Sequence, residues 1–175
     1  SPTPTTVYCG NDGGLFRSAG NGGTWVARIA GTLQTALFYN LAARPDNGGT
    51  VLLGALQDNG IQTTAGAASP GWNSPQGGDG WDIAFDGGTA SRAYGTSGFW
   101  SPAPCTRVWR SDNNGASWPT EVTPWGTTTD QGCYLASITC DPSAAGRVYV
   151  SGNQNLWQSQ DGGGTWRNIG AFPGN

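Results

Sequence analysis

The 175-residue chain has no histidine, no lysine and no methionine, a single glutamate (Glu121), and only 11% charged residues. Without histidine, Ser–His and Cys–His catalysis and His-ligated metals are excluded within the chain. Without lysine, a phosphate-binding loop is excluded as well. The eight basic residues are all arginine and the net charge is −3, so the clustered positive charge of a nucleic-acid surface is missing. No apolar run approaches the ~18 residues of a membrane span, and no stretch reads as a signal peptide. The missing methionine, at position one as elsewhere, is what a processed or excised piece would show. Neither a metal nor a cofactor is expected.

What remains is rich in turns and rings. Thirty Gly and eleven Pro punctuate the chain, while nine Trp, five Tyr and five Phe supply more buriable surface than a disordered segment carries. The length is that of one domain. Four cysteines on a Thr/Ser/Asn/Gly-rich background fit an extracellular, secreted protein.

One stretch is written in hairpin chemistry: Ser159-Gln160-Asp161-Gly162-Gly163-Gly164-Thr165-Trp166. The aspartate can accept from backbone amides just ahead of it, the glycines supply positive φ, and Trp166 opens the return strand. Ser111 to Trp118 repeats the device with Asn113 at the aspartate position, Ser18 to Trp25 has Gly20 there, and Gly71-Trp72 keeps only the ring. Trp25, Trp72, Trp118 and Trp166 are 47, 46 and 48 residues apart. In an all-β chain that is the length of a four-stranded propeller blade.

The Ser-x-Asp-x-Gly-x-Thr-Trp string resembles the BNR or Asp-box repeat of sialidase-like, sortilin-like and xyloglucanase-like β-propellers. The resemblance implies an all-β fold of about four blades over residues 1–175: an incomplete one near 1–30, then 37–73, 81–122 and 133–172. The predicted strands end with short ones at Trp72 and at Trp118 to Val122. A second Pro, small-polar, Val-Tyr pattern, at Pro142 to Tyr149, matches Pro2 to Tyr8, so the chain is expected to start inside a blade whose innermost strand is missing. Propellers avoid free edges by closing a ring of four to eight blades. The chain is therefore expected to be part of a larger ring, as a fragment, as a piece beside other chains or as a half that pairs with its own copy, with a self-contained four-bladed ring as the other option.

In the Asp-box family the hairpin lies on the outer edge of the blade. Ser18, Trp25, Ser111, Trp118, Ser159, Asp161, Thr165 and Trp166 are accordingly read as scaffold, each ring worth at most about 4–6 kcal/mol of burial. The blade scheme also puts Cys105 and Cys133 on one face as neighbours. A disulfide between them would be worth roughly 3 kcal/mol in the loop-entropy model. Cys9 and Cys140 remain open between buried thiols and a pair.

Function is expected at the opposite turns, around the central channel. Asp12, Asp58 and Asp79 could converge there, although Asp-Gly, Asp-Asn-Gly and Gly-Asp-Gly are also good turn formers. Trp81, Trp100 and Trp125 are the rings that could stack on a sugar, or anchor loops instead. Asn11 to Arg17 resembles the Asp-Val-Gly-Gly-aromatic-Arg loop of the xyloglucanase-like propellers, whose aspartate is catalytic. Aligning the glycines puts Asn11 on that position and Asp12 on the spacer. Two readings follow. One is a binding or structural module for a glycan or protein partner. The other is part of a glycoside hydrolase, which needs two carboxylates in a cleft. A sialidase is disfavoured, since the resemblance would require a Tyr nucleophile helped by a Glu and only Glu121 is present.

Overall fold

The computed structural model describes residues 6–11, 14–27, 36–44, 51–64, 72–98, 106–126, 130 and 136–172. Among them there is no helix, and every regular element is an antiparallel strand. The chain divides into two compact units, Ser1–Leu37 and Phe38–Asn175.

The first unit holds one three-stranded sheet of β1 (Val7–Asn11), β2 (Gly14–Ser18) and β3 (Val26–Ala27), in that spatial order. The second holds three four-stranded meanders in sequence order. They are β4 (Phe38–Ala43), β5 (Leu52–Leu56), β6 (Gly60–Thr64) and β7 (Trp72–Gln76); then β8 (Asp79–Phe85), β9 (Ala93–Gly98), β10 (Thr106–Ser111) and β11 (Thr120–Glu121). Last come β12 (Ile138–Cys140), β13 (Val148–Ser151), β14 (Asn155–Ser159) and β15 (Arg167–Ala171). Consecutive hairpins explain this order, because antiparallel neighbours need only short turns.

The strands differ from the sequence reading at their ends. β7 runs for five residues, carrying Pro75 on an outer strand where no ladder donor is required. β11 is only two residues long and starts beyond Trp118, because Pro119 follows the ring. Trp166 likewise stands just ahead of β15 rather than in it.

Strand alternation makes the middle sheet of the second unit apolar on both faces. All six residues of β9 are buried, and successive side chains serve different cores. Ala93 packs with Leu53, Ala55, Ile61, Ile83 and Trp118 between the first and middle sheets. Tyr94 packs with Val108, Val122, Trp125, Ile138, Val148 and Val150 between the middle and last sheets. The sheets approach closely: a Cβ on Gly80 would lie 2.2 Å from the Gly60 carbonyl oxygen, so that crossing tolerates no side chain.

The three innermost strands, β4, β8 and β12, are joined by one carboxylate. Asp82 Oδ1 accepts from the backbone N–H of Ile83 at 2.8 Å and from Asn40 Nδ2, and Oδ2 accepts from Ile138 N–H at 2.9 Å. Asp86 repeats the idea at the next turn. Its Oδ1 takes Gly88 and Thr89 N–H, while Oδ2 takes Gly146 N–H from the last sheet at 2.9 Å. Burying such groups is tolerable only because they are hydrogen-bonded this fully.

Candidate functional site

The second unit has two ends of different character. At one end lie the hairpin turns that begin with Ser111 and Ser159; at the other lie residues 57–59, 77–78, 130 and 152–154.

The serine turns are built alike in all three copies. Two consecutive residues have positive φ: Asn21 (50°) and Gly22 (88°), Asn114 (61°) and Gly115 (79°), Gly162 (76°) and Gly163 (87°). Each serine is fully buried and its Oγ accepts from the amide four residues on, at 3.0, 2.9 and 2.8 Å for Ser18, Ser111 and Ser159. The copies differ at the next position. Asp161 accepts from Ser159 Oγ (2.8 Å), Thr165 N–H (2.8 Å) and Thr165 Oγ1 (2.7 Å). Chiefly through those Thr165 bonds, then the Ser159 bond, its pKa is pulled down to about 2. Asn113 does the same work neutrally, accepting from Ser111 Oγ and Ser117 N–H and donating to Ser117 Oγ at 2.9 Å. Gly20 offers no side chain. Ser18, Ser111, Ser159, Asp161 and Thr165 thus spend their polar atoms on their own turns.

The opposite end gathers the exposed polar groups. Asp58 sits at φ 59° in the β5–β6 turn, and its N–H donates to Asp79 Oδ1 at 2.8 Å. Tyr39 on β4 is 40% exposed; its hydroxyl donates to Gln57 Oε1 at 3.0 Å and its ring lies 5.7 Å from that of Trp81, tilted by 39°. Asn59 Nδ2 donates to Gln57 O, and its carbonyl accepts from Ser74 Oγ. Tyr39, Gln57, Asp58, Asn59 and Asp79 therefore form one aromatic and polar patch of a single sheet and its crossover.

The structure places the sequence candidates unevenly. Asp58 and Asp79 are brought together, one bracing the other's backbone. Trp81 is 7% exposed beneath Tyr39, and Trp125 is fully buried with its Nε1–H donating to Thr106 O at 3.2 Å, so both act as anchors. Asp12, Trp100, Cys105 and Cys133 lie outside the described residues, and with them the expected disulfide. The Cys140 thiol is free, and burial, helped by Asp86, pushes its pKa up to about 12, which leaves it unreactive.

Three residues escaped sequence reasoning. Tyr39 was visible only as a strand residue. Asp82 follows Trp81 in a strand pattern with nothing to mark it. Asp130 is 3% exposed and accepts from Gln154 N–H, Asn155 N–H and Nδ2, and Trp157 Nε1. Burial works to raise its pKa, but those hydrogen bonds outweigh burial and hold it below the ordinary carboxylate value. No group of three or more Cys, Asp or Glu placed to hold a metal occurs among the described residues.

Four-stranded meanders following one another in chain order are also found in solved structures. The fold is a partial β-propeller. An ancestral GH74 enzyme matches with a TM-score of 0.63 at 23% identity, over 98% of this chain and 23% of that one. The GH74 xyloglucanase from Xanthomonas campestris gives 0.56 at 17%, over 93% and 26%. YCF48 bound to D1 peptide gives 0.52 at 16%, over 96% and 50%. This chain thus spans about a quarter of the two enzymes, and half of YCF48. No family model and no curated protein matches it by sequence.

Proposed function

We propose that the partial propeller is a glycan-binding module that uses the Tyr39 patch. The observation that carries this reading is the exposed Tyr39 ring, fixed by Gln57 and backed by Trp81, with the adjoining turn at Asp58 braced by the Asp79 carboxylate. Aromatic faces take the apolar side of a sugar, and amides and carboxylates take its hydroxyls. In this reading the serine turns are Asp-box repeats, supported by the shared Ser159, Asp161 and Thr165 hydrogen bonds. The protein is secreted, supported by its polar, cysteine-containing composition. Its ring is completed by further blades, supported by the greater length of the matched propellers.

Calorimetric titration with a xyloglucan oligosaccharide tests it. Binding should be saturable, and Tyr39→Ala should weaken it about tenfold, the loss of roughly one stacking contact and its hydrogen bond. A titration without heat, or one indifferent to Tyr39→Ala, would refute the reading.

The likeness to GH74 enzymes favours a second reading, a segment of a glycoside hydrolase in which Asp58 and Asp79 are the carboxylates to test. Hydrolysis of xyloglucan that disappears in Asp58→Asn or Asp79→Asn with binding retained would establish it. The likeness to peptide-bound YCF48 supports a protein partner instead. Competition between peptide and oligosaccharide for the Tyr39 patch separates those two.

A further inference from the structure

On the outer side of the second unit, the middle and last sheets meet in a cleft of about 360 Å³ lined by Glu121, Thr123, Gly126, Gly163, Gly164 and Trp166. We infer that this cleft is a second sugar site, taking one pyranose residue of a neutral glycan against Trp166 with Glu121 as hydroxyl acceptor. The inference rests on the glycan reading for its ligand class alone; none of these residues belongs to the Tyr39 patch.

The argument begins with the turn. Gly163 has φ 87° and is packed on Val122, so the turn presents bare backbone instead of side chains at the cleft floor. Trp166 follows directly; its Nε1 is buried and part of the ring packs on the core that contains Val122, while the rest lines this cleft and the neighbouring one formed with Gln158, Gln160 and Arg167. On the other wall Glu121 is held from two sides. Arg107 donates to its Oε2 and Thr123 to its Oε1, both at 2.8 Å. A carboxylate oxygen can accept more than one hydrogen bond, so each retains capacity for a hydroxyl while the side chain is already oriented. An oriented acceptor, half-exposed at the rim, opposite an aromatic side chain and above glycine, is the equipment a pyranose requires.

The molecule contains its own control. The equivalent junction one sheet earlier is a cleft of about 290 Å³ lined by Thr63, Thr64, Asn73, Asn113 and Asn114. There the corresponding ring, Trp118, is 4% exposed and faces the core, so the cleft has amides but no platform. The inference therefore assigns the sugar to one junction and not the other.

The test follows the indole N–H resonances of protein labelled with 15N at tryptophan during titration with a xyloglucan oligosaccharide. Trp166→Phe assigns its resonance. That resonance should shift saturably while that of Trp118 stays still. Glu121→Gln, which keeps the shape, should weaken the Trp166 response about tenfold, the scale of one charge-assisted hydrogen bond. Tyr39→Ala should leave it unchanged. A silent Trp166 beside a responding Trp81 would overturn this inference and leave the Tyr39 site standing. A Trp166 response indifferent to Glu121→Gln, or abolished by Tyr39→Ala, would overturn it too. No response anywhere would remove both sites.

Discussion

The turns at Ser111–Trp118 and Ser159–Trp166 share a backbone and differ in what covers them. Both carry a buried serine, two left-handed residues and a tryptophan seven positions on. Yet Trp118 is buried among Leu53, Ile61 and Ile83, whereas Trp166, though packed in part against the Val122 core, still lines two open clefts. The hairpin sets where the ring stands; the neighbouring sheet decides whether it becomes core or surface. At Ser18–Trp25, in the other unit, the same hairpin leaves Trp25 43% exposed.

The largest effect should come from the rings themselves. Trp118→Ala should cost about 3–5 kcal/mol in urea unfolding, the range for emptying a buried aromatic site, and Trp166→Ala clearly less. Equal costs would break the comparison. Next come the glycines. Gly163→Ala adds a Cβ 2.8 Å from Val122 Cβ to a left-handed φ, while at Gly22 the nearest atom would be Trp25 Cζ2 at 3.8 Å. Gly22→Ala should therefore cost only the backbone term of about 1–2 kcal/mol, and Gly163→Ala more, as melting temperatures would show. Ser111→Ala deprives the buried Gly115 N–H of its acceptor and should cost about 1–3 kcal/mol. Ser18→Ala should lie at the lower end, because its bond to Gly22 N–H is only partly buried and Gly20 stands where Asn113 accepts a second bond from Ser111. An inverted order would show that the third residue matters more than the serine.

The smallest effect is electrostatic. The Asp161 pKa is held at about 2 in the folded chain, below the ordinary value near 4. Its contribution to stability is therefore complete above about pH 4 and is lost as the pH falls towards 2. Asp161→Asn should flatten that part of the acid unfolding profile. Asn113→Asp should steepen it, since Asn113 makes the neutral version of the same bonds. A profile unchanged by both would refute the role given to the carboxylate.

Much of this was legible along the chain. The spacing of Trp25, Trp72, Trp118 and Trp166 announced the repeat, and alternation with Gly and Pro punctuation announced short strands. A turn depends on residues within eight positions, so Ser159, Asp161 and Thr165 could be given their neighbours from sequence. Sites were less legible. Trp81 and Trp125 looked like candidate sugar platforms beside Gly and Pro, and both proved to be covered. Tyr39, Asp82 and Asp130 carried no local mark, because their partners lie 18, 56 and 24 or more residues away.

By itself, then, the sequence determined the hairpins, the all-β class and the repeat, all of which follow from local backbone preference and periodic burial. Only the tertiary structure decided which tryptophan is core, which carboxylate is spent on backbone amides, and which aromatic faces outward. Those outcomes depend on what a neighbouring sheet places against each side chain, and that placement has no signature within the segment.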